Sequence, residues 1–88
     1  MKAAEGFIYK QMHGRGVIVP VGAASQSFNG MVTLNETGSF LWERIQADVE
    51  RDALIQALLA EYDTDEATAA RDVDAFLTKL REAGLLVE

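Results

Sequence analysis

The chain has 88 residues, 49% of them apolar and 25% charged, with no cysteine and a formal charge of −6. That length holds one compact domain, residues 1–88, without a separate catalytic domain, and the composition is that of an ordinary globule rather than a disordered or fibrous chain. Without cysteine there can be no disulfide, thiolate zinc site or thiol nucleophile; with no apolar run near the roughly eighteen residues of a membrane span, and no secretory signal in MKAAEGFIYK, a cytoplasmic protein is expected.

The first third reads as β-structure. Phe7 to Met12 (FIYKQM) alternates two faces and is rich in strand formers, and Val17 to Val21 is a short apolar run that carries Pro20. His13-Gly14-Arg15-Gly16 lies between them, where glycine supplies the positive φ of a tight hairpin, so the two strands are expected to pair antiparallel. Pro20 cannot donate to a ladder, which sends it to a strand end or an outer edge. Gly22 to Ser27 is small and polar, a loop, and a third strand is expected over Phe28 to Leu34. Gly30 within it marks a bulge or a close backbone approach.

The remainder reads as helical. Asn35 is placed to cap a helix from about Glu36 to Gln46, with Leu41 and Ile45 on its inner face, Phe40 and Trp42 flanking them, and Gly38 tolerated for close packing. A second helix is expected over Arg51 to Glu61 on the stripe Leu54, Ile55, Leu58, Leu59 and Tyr62. Asp63-Thr64-Asp65 breaks it, and Asp65 caps a third helix from Glu66 to Ala83 that Gly84 ends. Ala69, Val73, Phe76, Leu77 and Leu80 form its inward stripe, and Leu85 to Val87 is an apolar tail able to return to the sheet. The expected fold class is α+β: a small winged helix-turn-helix domain, a three-stranded antiparallel sheet followed by three helices.

Few residues here carry chemistry. His13, the lone histidine, sits in a turn; Ser25, His13 and an aspartate can be named as a triad only on paper, since no nucleophile-elbow glycine pattern accompanies them. Asp63-Thr64-Asp65 opens like a calcium loop, but the sixth position is Thr68 and the twelfth is Asp74 in mid-helix. Gly14-Arg15-Gly16 lacks the third glycine and the helix of a dinucleotide loop. The pairs Asp72/Asp74 and Glu61/Asp63 are two apart and do not face one another on a helix. No enzyme activity, cofactor or metal is therefore expected.

Charge is uneven along the chain. Residues 1–35 carry Lys2, Lys10 and Arg15 against Glu5, a net of +2, and residues 36–88 carry −8. An acidic surface repels nucleic acid and anionic membranes. A DNA-reading winged helix would present Glu66, Asp72, Asp74 and Glu82 against Arg71, Lys79 and Arg81, the wrong sign for that role. What remains is an exposed edge on the third strand beside the third helix, where a partner can add its own strand. Met31, Ala75 and Phe76 would supply apolar surface there, and Asp72 or Lys79 a charge.

The segment Asn29-Gly30-Met31-Val32-Thr33-Leu34-Asn35-Glu36-Thr37-Gly38-Ser39-Phe40-Leu41-Trp42 resembles the central motif of the PqqD family, named for pyrroloquinoline quinone synthesis protein D. Val19-Pro20-Val21-Gly22, Leu58 to Asp63, Arg71-Asp72-Val73, Phe76-Leu77, Leu80 and Gly84-Leu85-Leu86 extend the likeness over nearly the whole chain. The resemblance implies a non-catalytic recognition element for ribosomally made, modified peptides. Such a domain binds the leader segment of a precursor peptide by strand addition and presents it to a modifying enzyme, often a radical SAM maturase. Carried onto this chain, the peptide would meet Phe28, Asn29, Gly30, Met31, Val32 and Thr33 on the strand and Asp72, Ala75, Phe76 and Lys79 on the helix. Two alternatives use the same shape: a transcriptional regulator binding DNA, and a self-associating module that forms a homodimer through the strand edge.

Overall fold

The computed structural model describes residues 1–27 and 31–88. In chain order these form β1 (Lys2–Ala3), β2 (Phe7–Met12), β3 (Arg15–Pro20), α1 (Ala24–Ser27), β4 (Val32–Leu34), α2 (Glu36–Arg44), α3 (Arg51–Glu61), α4 (Glu66–Ala83) and β5 (Leu86–Val87). The architecture is α+β, built on an antiparallel three-stranded sheet in the order β2-β3-β4.

The hairpin closes as its sequence requires. Met12 pairs with Arg15, leaving His13 and Gly14 as a two-residue loop, and both have positive φ, +54° and +77°. Two such residues in succession give the turn whose twist matches the flanking strands. Pro20 is the last residue of β3, opposite Phe7, where its missing N–H costs least.

Gly16 has another purpose. A Cβ there would lie 2.3 Å from Ser39 Oγ and 2.6 Å from the Tyr9 ring, so the bare backbone lets Tyr9 and the first turns of α2 close over β3. Gly16→Ala is expected to cost about 1–3 kcal/mol through overpacking. The loss is measurable as a lowered thermal midpoint, roughly 4–8 °C for each kcal/mol in a chain of this size.

The helices cover one face of the sheet. Ile18, Val32 and Leu34 from the sheet share a buried cluster with Leu41, Trp42 and Ile45 of the α2 segment, Leu54, Ile55 and Leu58 of α3, and Val73, Phe76, Leu77 and Leu80 of α4. α3 and α4 have the expected bounds because their signals are strong: apolar stripes at helical spacing, Asp65 capping α4, and Gly84 in the left-handed conformation at φ +76°. Phe40 fixes α2 against α3, meeting the Tyr62 ring in a T-shaped contact at 5.5 Å, and the Arg44 guanidinium lies over the Phe40 ring at 4.2 Å.

Five features differ from expectation. β3 runs over Arg15–Pro20 rather than Val17 to Val21, because the turn takes only His13 and Gly14 and leaves Arg15 and Gly16 paired in the ladder. β4 begins at Val32, so Met31 lies outside the strand and is 53% exposed; Phe28, Asn29 and Gly30 lie outside the described residues. α2 stops at Arg44 because Ile45 leaves helical geometry and the Gln46 side-chain amide donates to the Trp42 carbonyl at 3.0 Å, satisfying a helix-end acceptor. The loop after Gly22 contains one helical turn, α1, with Ser25 Oγ donating to the Gly22 carbonyl at 2.7 Å. The C-terminal tail does not return to the three-stranded sheet: β5 pairs with β1, Lys2 opposite Val87 and Ala3 opposite Leu86, which seats Ala3 and Leu85 in the interior.

Candidate functional site

β4 is an edge strand. β3 takes one side of it, and among the described residues no strand takes the other. Val32 and Leu34 point into the core, 9% and 4% exposed, and Thr33 between them is half-buried on the opposite face. Alternation makes this unavoidable: a strand with two core residues at spacing two leaves the middle one on the other face.

α4 runs beside this edge. Asp72, Ala75, Phe76 and Lys79 are at i, i+3, i+4 and i+7, one flank of the helix. Phe76 is buried at 6% exposure, while Ala75 and Lys79 are exposed and Asp72 is half-buried. All four line a cavity of about 250 Å³, whose opposite wall is Leu34, Asn35, Thr37 and Gly38. Apolar surface from Leu34, Ala75 and Phe76 therefore sits between a carboxylate and an ammonium.

The start of α2 closes the end of this groove. Asn35 Oδ1 accepts from the Gly38 N–H at 2.8 Å and from Thr37 Oγ1 at 3.2 Å. Gly38 is buried, and a Cβ there would lie 3.0 Å from Asn35 Oδ1 and 3.3 Å from Leu34 Cβ. The absent side chain is thus what lets the first turn of α2 lie directly against β4.

A larger concavity of about 660 Å³ adjoins the first and shares Leu34, Asn35 and Lys79 with it. The hairpin end contributes Gln11 and Arg15, β4 contributes Thr33, and α2 contributes Glu36 and Ser39. Gln11 Nε2 donates to the Tyr9 hydroxyl at 2.8 Å, which fixes the Gln11 side chain at the rim. Between the two cavities the Lys79 ammonium donates to the Thr33 carbonyl.

Several other charges on α4 and its surroundings are already engaged. Arg51 makes a two-pronged contact with Asp74 at 2.7 and 2.9 Å, tying α3 to α4 and holding the Asp74 carboxyl below its usual range. Asp65 Oδ1 accepts from the Thr68 N–H at 2.7 Å, a cap that likewise lowers its carboxyl. Arg81 pairs with Glu88 at 2.8 and 2.9 Å. Burial, reinforced by the charge of Glu36, pushes the Tyr62 phenol up. Among the described residues Asp72 has no ion-pair partner, and no cluster of three or more His, Asp or Glu is arranged to hold a metal.

Of the ten residues singled out from the sequence, the four on α4 and Thr33 line these cavities. The Val32 side chain is core and its N–H and C=O face β3, since those of Thr33 face the open side, and Met31 lines neither cavity. Sequence reasoning missed Thr37 and Gly38 on the α2 side and Arg15, Gln11 and Ser39 around the larger cavity. The Asn35 cap was a usable signal for the first pair, since it places the opening turn of α2 against the end of β4. Nothing local points to the others, which reach the site only through the fold.

The sequence profile of the family described as coenzyme PQQ synthesis protein D (PqqD) matches residues 11–86. Among solved structures, that of "TbiB1 in Complex with the TbiA(beta) Leader Peptide" is similar, 23% identical with a TM-score of 0.75, covering 98% of this chain and 94% of that one. "Lasso peptide synthetase B1 complexed with the leader peptide" is 22% identical with a TM-score of 0.75, over 99% of this chain and 96% of that one. No curated protein sequence matches. At these identities the structural likeness is one of fold.

Proposed function

The chain belongs to the PqqD family, and from that premise we propose that it is a non-catalytic adaptor that binds the leader segment of a ribosomal precursor peptide and presents it to a modifying enzyme, a radical SAM maturase. The observation that carries this reading is the open side of β4 running along the flank of α4 with an apolar-floored cavity between them. A partner strand would satisfy the edge N–H and C=O groups, and its side chains would reach the cavity. About 250 Å³ accepts one large apolar side chain, and burying a Leu or Phe there contributes roughly 1.5–3 kcal/mol. The peptide-binding residues in this proposal are Thr33, through its outward N–H and C=O, with Asp72, Ala75, Phe76 and Lys79. Two proteins of the same fold were solved with leader peptides, which supports the same class of ligand here.

DNA is a poor fit to this surface. Of the three cations on α4, Arg81 is paired with Glu88 and Lys79 is turned onto Thr33, which leaves Arg71 against Glu66, Asp72 and Glu82 and keeps the field of the helix acidic. No helix among the described residues is long and apolar enough to cross a membrane.

The test is an amide chemical-shift titration of the labelled protein with the leader segment of a precursor peptide encoded beside it. Shifts concentrated on Val32 to Leu34 and on Asp72 to Lys79 are the expected result. Silence at both, with a concentration-dependent change on that edge in the protein alone, would mean that the edge serves self-association instead.

A further inference from the structure

A hydrogen bond spans the groove from wall to wall, from the Lys79 ammonium to the Thr33 carbonyl. An added strand would need that carbonyl, because an edge strand offers its outward C=O and N–H groups in turn. We propose that Lys79 is the specificity-determining residue of the groove: it caps the edge in the free protein, is displaced by the incoming strand, and selects a strand that carries an Asp or Glu side chain beside Thr33. The proposal rests on the peptide-adaptor reading and adds to it the chemistry of the ligand.

The capping half follows from the geometry. Lys79 is exposed on a flexible stem, so its ammonium can leave the carbonyl for water or for a carboxylate without disturbing α4. A lysine laid across an edge is also a standard protection against unwanted strand pairing. A strand that offers only backbone removes the ammonium from its acceptor and crowds it; a strand with a carboxylate at that point gives it a new partner.

The selective half follows from the charges around it. Lys79 and Arg15 both line the larger cavity, where Glu36 is the one acidic residue. Asp72 lies two helical turns before Lys79, about 10.5 Å along the axis, and lines the smaller cavity. The groove is therefore negative toward Asp72 and positive toward Lys79 and Arg15. The chain as a whole carries −6, so it does not attract acidic peptides in general. A local cation on an acidic protein sets which side chain goes where more than how tightly the strand binds.

The test is selection of a displayed library of fully randomised twelve-residue peptides against the unsubstituted protein, Lys79→Glu and Lys79→Met, with thermal melts confirming that each variant is folded. The unsubstituted protein is expected to enrich peptides with Asp or Glu at one fixed distance from an apolar anchor. Lys79→Glu is expected to enrich Lys or Arg at that position, with Lys79→Met keeping the anchor and losing the charge preference. A matched acidic peptide is expected to bind Lys79→Glu about tenfold more weakly than the unsubstituted protein, a coupling somewhat above that of a fully exposed pair. Enriched peptides with no acidic position, or the same acidic position in Lys79→Glu, would overturn the proposal and leave the adaptor reading standing. No enrichment of any peptide by the unsubstituted protein would overturn both.

Discussion

Thr33→Pro is expected to weaken leader-peptide binding at least about tenfold, the equivalent of one lost backbone hydrogen bond at the upper end of its net worth, while moving the thermal midpoint by no more than a few degrees. The N–H and C=O of one strand residue point to the same side, and the Thr33 carbonyl meets Lys79 on the side that β3 leaves open. The Thr33 N–H therefore faces the groove, and proline removes a donor that the β3–β4 ladder does not use. Proline is tolerated in such edge positions, and the preceding Val32 already has the extended backbone that a following proline demands. The pyrrolidine ring would also stand where the added strand must approach. Thr33→Val is the control: it alters the side chain, keeps the N–H, and is expected to change affinity by no more than about twofold, in line with surface substitutions elsewhere. Equal binding by the two variants, measured by titration at one temperature, would show that the β4 edge is not where the peptide adds.

Much of this fold was legible because its signals are local. FIYKQM alternates, the stripes of α3 and α4 repeat at helical spacing, and Asn35, Asp65 and Gly84 mark helix ends by the hydrogen bonds or backbone angles they favour. The β1–β5 pair was not legible. Two-residue strands carry no period, and Lys2 is defined as a strand residue only by Val87 at the far end of the chain. The short α1 turn was equally hidden, since Ala-Ser-Gln-Ser has no stripe to display.

The site divides along the same line. Asp72, Ala75, Phe76 and Lys79 could be grouped because a helix flank follows from spacing alone. Met31 joins them only in a strand that extends through it; the strand starts one residue later and leaves that side chain exposed. The Lys79 contact with Thr33 joins residues 46 apart, and Arg15 comes to the same cavity from a hairpin. Such juxtapositions depend on the angle between α4 and the sheet, which no local pattern encodes.

That angle is set by α2, which packs against β3, β4, α3 and α4, and this makes Leu41→Ala the second variant with a large effect. Leu41 is fully buried in the cluster that also holds Ile18, Leu34, Phe76 and Leu80. Truncation there is expected to cost about 2–5 kcal/mol from lost burial and the cavity left behind. Against a total stability of roughly 5–15 kcal/mol, and at 4–8 °C for each kcal/mol, the thermal midpoint should fall by roughly 8–40 °C. Leu41→Met, which conserves volume, should cost less than about 1.5 kcal/mol. By contrast, Arg51→Ala breaks only the exposed pair with Asp74, which solvent screens, and should leave the midpoint nearly unchanged. A small loss in Leu41→Ala, comparable to that of Arg51→Ala, would mean that α2 does not organise this core. The two large effects also separate by signature. Thr33→Pro keeps the midpoint and loses the peptide; Leu41→Ala loses the midpoint, yet well below its own transition it still presents an intact β4 edge beside α4, and there it should bind the leader segment within a few-fold of the unsubstituted protein. If both variants lose binding in proportion to their loss of stability, the groove is only a place where folding is sensed, and the edge carries no recognition of its own.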